Sequence, residues 1–172
     1  MIEDRNDIFD DEDELYQENK YLLCHIGNEI YGIMIGYVTD IIELQPITYI
    51  PNMPVYVKGV INLRNRVIPV IDLRLRFGLE PKAYDDRTCI VVINIEEIAI
   101  GFIVDTVSEV KEIPDADIDD PPKFHESGID SSYIAGLGRV NEEVKILLDV
   151  EQILSQYDIQ LLSNEITQKE GT

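Results

Sequence analysis

Apolar residues in this chain come in short runs separated by turn residues, a strand-like pattern. Tyr21 to Ile26 is one such run, Gly27-Asn28 supplies a turn, and Ile30 to Ile35 continues apolar, which predicts a hairpin. Val38 to Leu44 is a third extended run. Pro46, Pro51 and Pro54 then punctuate a connection, and Pro54 suits the first turn of a short helix reaching about Lys58. The stretch from Val57 to Leu73 organises the rest: Val60, Ile61 and Leu63 precede Arg64-Asn65-Arg66, and Val67, Ile68, Val70 and Ile71 follow. Two paired strands joined by a bend that carries two arginines are expected there. Pro69 points to an edge strand or a bulge, since proline cannot donate to a ladder. Asp72 can cap a helical segment Leu73 to Phe77, with Gly78 at its exit.

The pattern then starts again. Leu22 to Leu44 superposes on Val91 to Ile113 at a constant spacing of 69 residues, so that Gly32 falls on Gly101, Val38 on Val107, Asp40 on Glu109 and Ile41 on Val110. Further on, Gly59 falls on Gly136 and Asp72 on Asp149 at a spacing of 77, which places eight extra residues in an acidic, proline-containing loop within Pro114 to Ser132. Asp149 can cap a helix from Val150 to about Leu162. Two copies, each too small to bury much alone, imply two similar β-barrels or sheets packed on one another. The fold class expected is therefore mainly all-β, with short helices and a C-terminal helix.

Composition narrows the function. A formal charge of −20 and a pI near 4.2 argue against nucleic acid and against anionic lipid, and favour protein partners. No apolar run approaches the roughly 20 residues that cross a bilayer, and the first residues are acidic where a signal peptide is basic, so a cytoplasmic location is expected. Met1 to Asn19 carries nine acidic residues against Arg5 alone and reads as a disordered tail. Asn164 to Thr172 reads as a frayed end. Cys24 and Cys89 lie in apolar runs, as small buried hydrophobes do, and no disulfide is expected. Seven of the 14 basic residues, Lys58, Arg64, Arg66, Arg74, Arg76, Lys82 and Arg87, gather in one span; such a patch either pairs internally or recruits an acidic partner.

Catalytic readings are weak. Asp105-Thr106-Val107 resembles the Asp-Thr/Ser-Gly turn of a duplicated aspartic protease, but Val107 replaces the glycine and the repeat partner of Asp105 is Gly36, so no carboxylate dyad forms. Glu96-Glu97 falls in a predicted hairpin turn and Asp119-Asp120 in the acidic loop, where solvated charge is the ordinary explanation. His25 and His125 lack metal-site spacing, and Gly136-Leu137-Gly138 is too short for a phosphate cradle. Neither catalysis nor a cofactor is expected. Asp40 on the third strand and Arg64 in the central bend can be neighbours in a small barrel, as a surface salt bridge or as a charged element of a docking groove.

Tyr31-Gly32-Ile33, Pro54 to Arg64, Ile68 to Arg74, Gly101 to Asp105 and Ile134 to Gly138 together resemble the chemotaxis coupling proteins of the CheW family, over about Lys20 to Leu162. The resemblance implies one domain over residues 20–163, built of two interleaved five-stranded SH3-like barrels. The first repeat spans about 20–88, the second about 89–150, and a helix about 150–162. It implies a noncatalytic adaptor that couples methyl-accepting chemoreceptors, through their cytoplasmic tips, to the regulatory domain of a CheA-type histidine kinase at receptor arrays. By it, Val38, Asp40, Arg64, Cys89 and Gly101 occupy receptor-binding positions in a groove between the barrels, and Gly59 a kinase-coupling position. Asn65 replaces the usual glycine after Asn-Leu-Arg, and Cys89 stands where an aliphatic residue is commoner. The alternatives are the adaptor domain of a CheV-like regulator and a small-ligand-sensing β-barrel.

Overall fold

The computed structural model describes residues 19–121 and 132–154. The acidic tail before Asn19, His125, most of the acidic loop, and everything after Leu154 lie outside the described residues. The chain is mainly β. Strands β1 (Lys20–Ile26), β2 (Glu29–Met34) and β3 (Val38–Glu43) are followed by the hairpin β4 (Val57–Leu63) and β5 (Arg66–Asp72) and by the short helix α1 (Leu73–Arg76). Then come β6 (Cys89–Ile95), β7 (Ile98–Val104), β8 (Thr106–Glu112), the two-residue β9 (Ile118–Asp119), β10 (Ile134–Val140), β11 (Glu143–Leu148) and α2 (Val150–Ile153).

The copies exchange strands. One sheet runs β3-β6-β7-β5-β4 and the other β8-β1-β2-β11-β10-β9, so each sheet takes its first hairpin from one copy and its remaining strands from the other. Neither copy forms a sheet alone. The exchange brings β5 parallel to β7, with Val70 opposite Gly101, and β11 parallel to β2, with Leu147 opposite Gly32. The glycines are needed at both crossings: a Cβ on Gly101 would sit 2.7 Å from Ile90 Cγ2 and 2.9 Å from Val70 Cγ1, and one on Gly32 would sit 2.8 Å from Leu147 Cδ2.

The apolar runs are near-continuous in β1, β5, β6 and β7, which are covered on both faces, whereas β3 and β8 each leave a face exposed. Val91, Ile93, Phe102, Leu22, Cys24 and Ile33 belong to a central layer drawn from both sheets. Ile61, Ile68, Val70, Ile90, Val92 and Ile103 fill the five-stranded sheet's own interior, and Tyr21, Leu23, Ile113 and Leu147 that of the other. Fully burying a side chain of this kind contributes roughly 1.5–3 kcal/mol, so the central layer is a main source of the attraction between the two barrels.

Four expectations change. The expected pair of five-stranded barrels is a five- and a six-stranded sheet. The sixth strand is β9, which pairs two residues with β10 where the first copy makes a single bridge, Thr48 to Val60. The expected helix after Pro54 is a single turn, in which Val57 N–H donates to the Pro54 carbonyl at 3.0 Å before β4 begins. Pro69 lies neither at a sheet edge nor in a bulge. It faces Val60, whose own amide and carbonyl bond to Thr48, and the pairing of β5 with β7 starts only at Val70, so no ladder bond needs its missing N–H. The C-terminal helix is described only over Val150–Ile153, since Leu154 has extended dihedrals and residues 155–162 lie outside the described residues. Both aspartate caps form: Asp72 accepts from the amides of Arg74 and Leu75, and Asp149 from that of Gln152.

Candidate docking site

Arg64 and Asn65 form the two-residue loop between β4 and β5, with φ of 52° and 66°. Paired left-handed residues give the loop the twist of the strands it joins, and asparagine adopts that conformation at little cost, so the loss of the usual glycine leaves the turn intact. The turn projects Arg64 across the open seam of the barrel. There Arg64 Nη1 lies 3.0 Å from Asp40 Oδ2, with the arginine side chain 75% and the aspartate 25% exposed. β3 and β4 are the edge strands of the five-stranded sheet; this pair spans them at the surface, and the Thr48–Val60 bridge ties the β3–β4 connection to β4.

A bulge aims Asp40. Val38 pairs with Ile93 and Asp40 with Val92, so Thr39 is an extra residue, and its hydroxyl donates to the Val92 carbonyl at 3.2 Å. Strict alternation would turn Val38 and Asp40 to one face; the bulge turns Val38 to the central layer and Asp40 to the barrel mouth. The second copy repeats the device at Ser108, whose hydroxyl donates to the Leu23 carbonyl at 3.2 Å. Asp40 and Arg64 line a cavity of about 250 Å³ at that mouth, whose walls include Leu63, Ile68, Val92 and Ala99 and whose rim also carries Arg66 and Glu97.

The remaining predicted site residues lie elsewhere. Asp40, Val92, Gly101, Val70 and Gly59 form one row across the sheet, which places three of the predicted residues in register. Gly101 and Gly59 are nevertheless buried. Gly59 has φ of 142°, and a Cβ there would lie 2.1 Å from the Thr48 carbonyl oxygen, so its immediate task is to let the seam bridge form. Cys89 pairs with Glu43 at the far end of β6 from Ile93, the partner of Val38, roughly 13 Å along the strand. It is half-buried against the central layer, as Val38 is. That layer fills the space between the two sheets, and the concave feature shared by Asp40 and Arg64 is the barrel mouth. Cys24 is fully buried, and burial, with a smaller contribution from Cys89, pushes its thiol up to about 12.

The basic span is divided. Arg74 makes a two-pronged ion pair with Asp105, Nε to Oδ1 at 2.8 Å and Nη2 to Oδ2 at 2.9 Å, and Asp105 also accepts from Gly27 N–H at 2.9 Å. Burial works to raise the Asp105 pKa, but the Arg74 hydrogen bonds, the Gly27 amide and the charges of Arg74 and Lys82 hold it below the ordinary aspartate value. Arg76 donates to the Ile153 carbonyl at 2.7 Å and lies over the Tyr56 ring, and Lys58 lies over Tyr84. The Arg74–Asp105 pair was not legible: the two residues end two family motifs, Ile68 to Arg74 and Gly101 to Asp105, but no spacing links them, and the only chemistry suggested for Asp105 was a protease turn that fails. Its one signal was that the repeat places Gly36 opposite Asp105, so the carboxylate belongs to one copy alone.

A duplicated, strand-exchanged β body with an ion-paired barrel mouth has the character of a domain that presents surface. The family described as CheW-like domain matches residues 20–158, and the chain belongs to it. It is 37% identical to the chemotaxis protein CheW of Klebsiella aerogenes, covering 84% of this chain and 87% of that one, and 34% identical to the CheW of Treponema pallidum, covering 81% and 84%. The crystal structure of the scaffolding protein TtCheW from Thermoanaerobacter tengcongensis superposes with a TM-score of 0.71 at 32% identity, over 77% of this chain and 89% of that one.

Proposed function

We propose that this protein is a noncatalytic coupling adaptor of bacterial chemotaxis, which joins methyl-accepting chemoreceptors to a CheA-type histidine kinase. Family membership supports this reading, and so do relatives named for chemotaxis and for scaffolding. Those names favour it over the CheV-like and ligand-sensing readings. The observation that carries the site is the barrel mouth. There a largely exposed guanidinium, fixed by Asp40 on a rigid two-residue turn, stands beside a concave apolar wall. Such a surface suits the side of a receptor helix, an apolar stripe in a groove with a charge at its edge. Asp40 and Arg64 then serve the receptor face directly, whereas Val38, Gly101 and Cys89 act through the shape and packing behind it. Gly59 is assigned to kinase coupling through the backbone geometry of the β4 seam, and the kinase element engaged is its regulatory domain. The adaptor works in the cytoplasm at receptor arrays; no described helix is long and apolar enough to cross a membrane.

Reconstitution tests this. The full chain is titrated calorimetrically with the regulatory domain of a CheA-type kinase, and separately with a soluble cytoplasmic fragment of a chemoreceptor, both from the same genome. Saturable one-to-one binding to the kinase domain and restored receptor control of kinase activity are expected. Absence of both would leave the fold intact and overturn the function.

A further inference from the structure

The rim of the barrel mouth carries four charges, of which two are spent. Asp40 and Arg64 neutralise each other across the seam. Arg66, first residue of β5, and Glu97, in the β6–β7 turn, line the same cavity, and both are exposed. Neither side chain makes an ion pair or hydrogen bond among the described residues. Glu97 sits on, and Arg66 directly follows, a short hairpin turn with left-handed residues, Glu96-Glu97 and Arg64-Asn65, so the backbone fixes where each side chain leaves the chain.

We infer that Arg66 and Glu97 are a specificity pair which reads a partner helix carrying an acidic side chain opposite Arg66 and a basic one opposite Glu97. The inference rests on the adaptor reading and names what the receptor face selects. The uncommitted guanidinium is free to form the two-pronged contact that carboxylates accept. Glu97, level with Arg66 at the end of the neighbouring strand pair, rejects a partner acidic throughout, and Arg66 rejects one basic throughout. An opposite-charge pair one turn apart on a helix, with an apolar residue beside it for the half-buried Leu63 and Ala99, satisfies both charges at once.

The test is titration of the full chain and its variants with the soluble chemoreceptor fragment at low and high salt. Arg66→Glu is expected to weaken binding about tenfold and Glu97→Lys about threefold, mainly at low salt, as rim charges do. Arg66→Gln, which adds no repulsion, should give a smaller loss and a shallower salt dependence. Arg87→Glu, an exposed charge outside the cavity, should change nothing. Binding of Arg66→Glu and Glu97→Lys within twofold of the parent protein would overturn the specificity pair and leave the adaptor reading standing. Failure of the parent protein to bind either the receptor fragment or the kinase domain would overturn both. Thermal melts matching the parent establish that the variants are folded.

Discussion

The two barrels share a plan and differ at their rims. Bulges fall at Thr39 and Ser108, parallel crossings at Gly101 and Gly32, and caps at Asp72 and Asp149, each pair related by the repeat. The left-handed turn Arg64-Asn65 is matched by Asn141-Glu142, with φ of 50° and 68°. At that turn the likeness ends. Where the five-stranded barrel sets Arg64 against Asp40, the other has Asn141 and Glu109 and places its ion pairs at Arg139–Asp119 and Lys145–Glu143 instead, so the Arg64–Asp40 pair belongs to one mouth alone. A duplicated fold thus contains its own control: features present in both copies serve folding, while a feature present in one either has a local structural task, as the buried Arg74–Asp105 pair does, or is free to serve a partner.

The sharpest test of the shared set compares Gly59 with its mate Gly136. Gly59→Ala forces a side chain onto a backbone carbonyl at positive φ, and a loss of roughly 4 kcal/mol is expected from strain and lost seam pairing. Gly136→Ala meets the movable Ile118 side chain at 2.8 Å and the Asp119 carbonyl oxygen at 3.2 Å, and should cost about 1–2 kcal/mol. Urea denaturation of the two variants measures both losses. Equal losses would mean that the seam bridge at Thr48 is no more rigid than β9.

Next in size is the tie that only one copy owns. Asp105 lies at the crossing from β7 to β8 and joins Arg74 after β5 to the β1–β2 turn at Gly27, linking both sheets. Asp105→Asn is expected to cost about 2–3 kcal/mol, because Arg74 is left largely buried without its counter-charge. The pH dependence has a definite sign. The folded-state pKa is lowered, so the stabilisation is fully present above the unfolded aspartate value of about 4 and is lost as pH falls through the folded value. The stability gap between the parent protein and Asp105→Asn should therefore hold from neutral pH to about pH 5 and close under more acid conditions. A gap unchanged on acidification would mean that lost packing, and not charge, sets the cost.

Much of this was legible in the chain. Hairpins, caps and the duplication all follow from local pattern, because turns and caps are decided by residues adjacent in sequence. The strand exchange was not legible from the residues, since a repeat shows that two copies exist and not which strands pair across them. The bulge at Thr39 was likewise hidden. Val38 and Asp40 stand two apart, so alternation assigns them one face, and only the paired register sends one to the core and the other to the mouth. The Asp40–Arg64 contact was anticipated by its chemistry, whereas Arg66 and Glu97 were noted separately, as a bend charge and a turn charge, without the shared cavity that unites them.

The smallest effect on stability belongs to the feature most distinct between the barrels. Arg64 is largely exposed, so its pair with Asp40 contributes at most about 1 kcal/mol, and Arg64→Ala should unfold within that margin of the parent protein. Transplanting the cation, Asn141→Arg, should be equally mild, although Glu109 stands where Asp40 does in the other copy. The two should separate in coupling. Arg64→Glu turns the mouth acidic beside Asp40 and is expected to abolish receptor control of the kinase while melting within a few degrees of the parent. Asn141→Arg should leave that control unaltered. A large melting loss for Arg64→Glu would move the pair to the folding side of the comparison, because the seam would then depend on it. Full control with Arg64→Glu would remove the five-stranded barrel's mouth from the receptor face and direct attention to the opposite barrel.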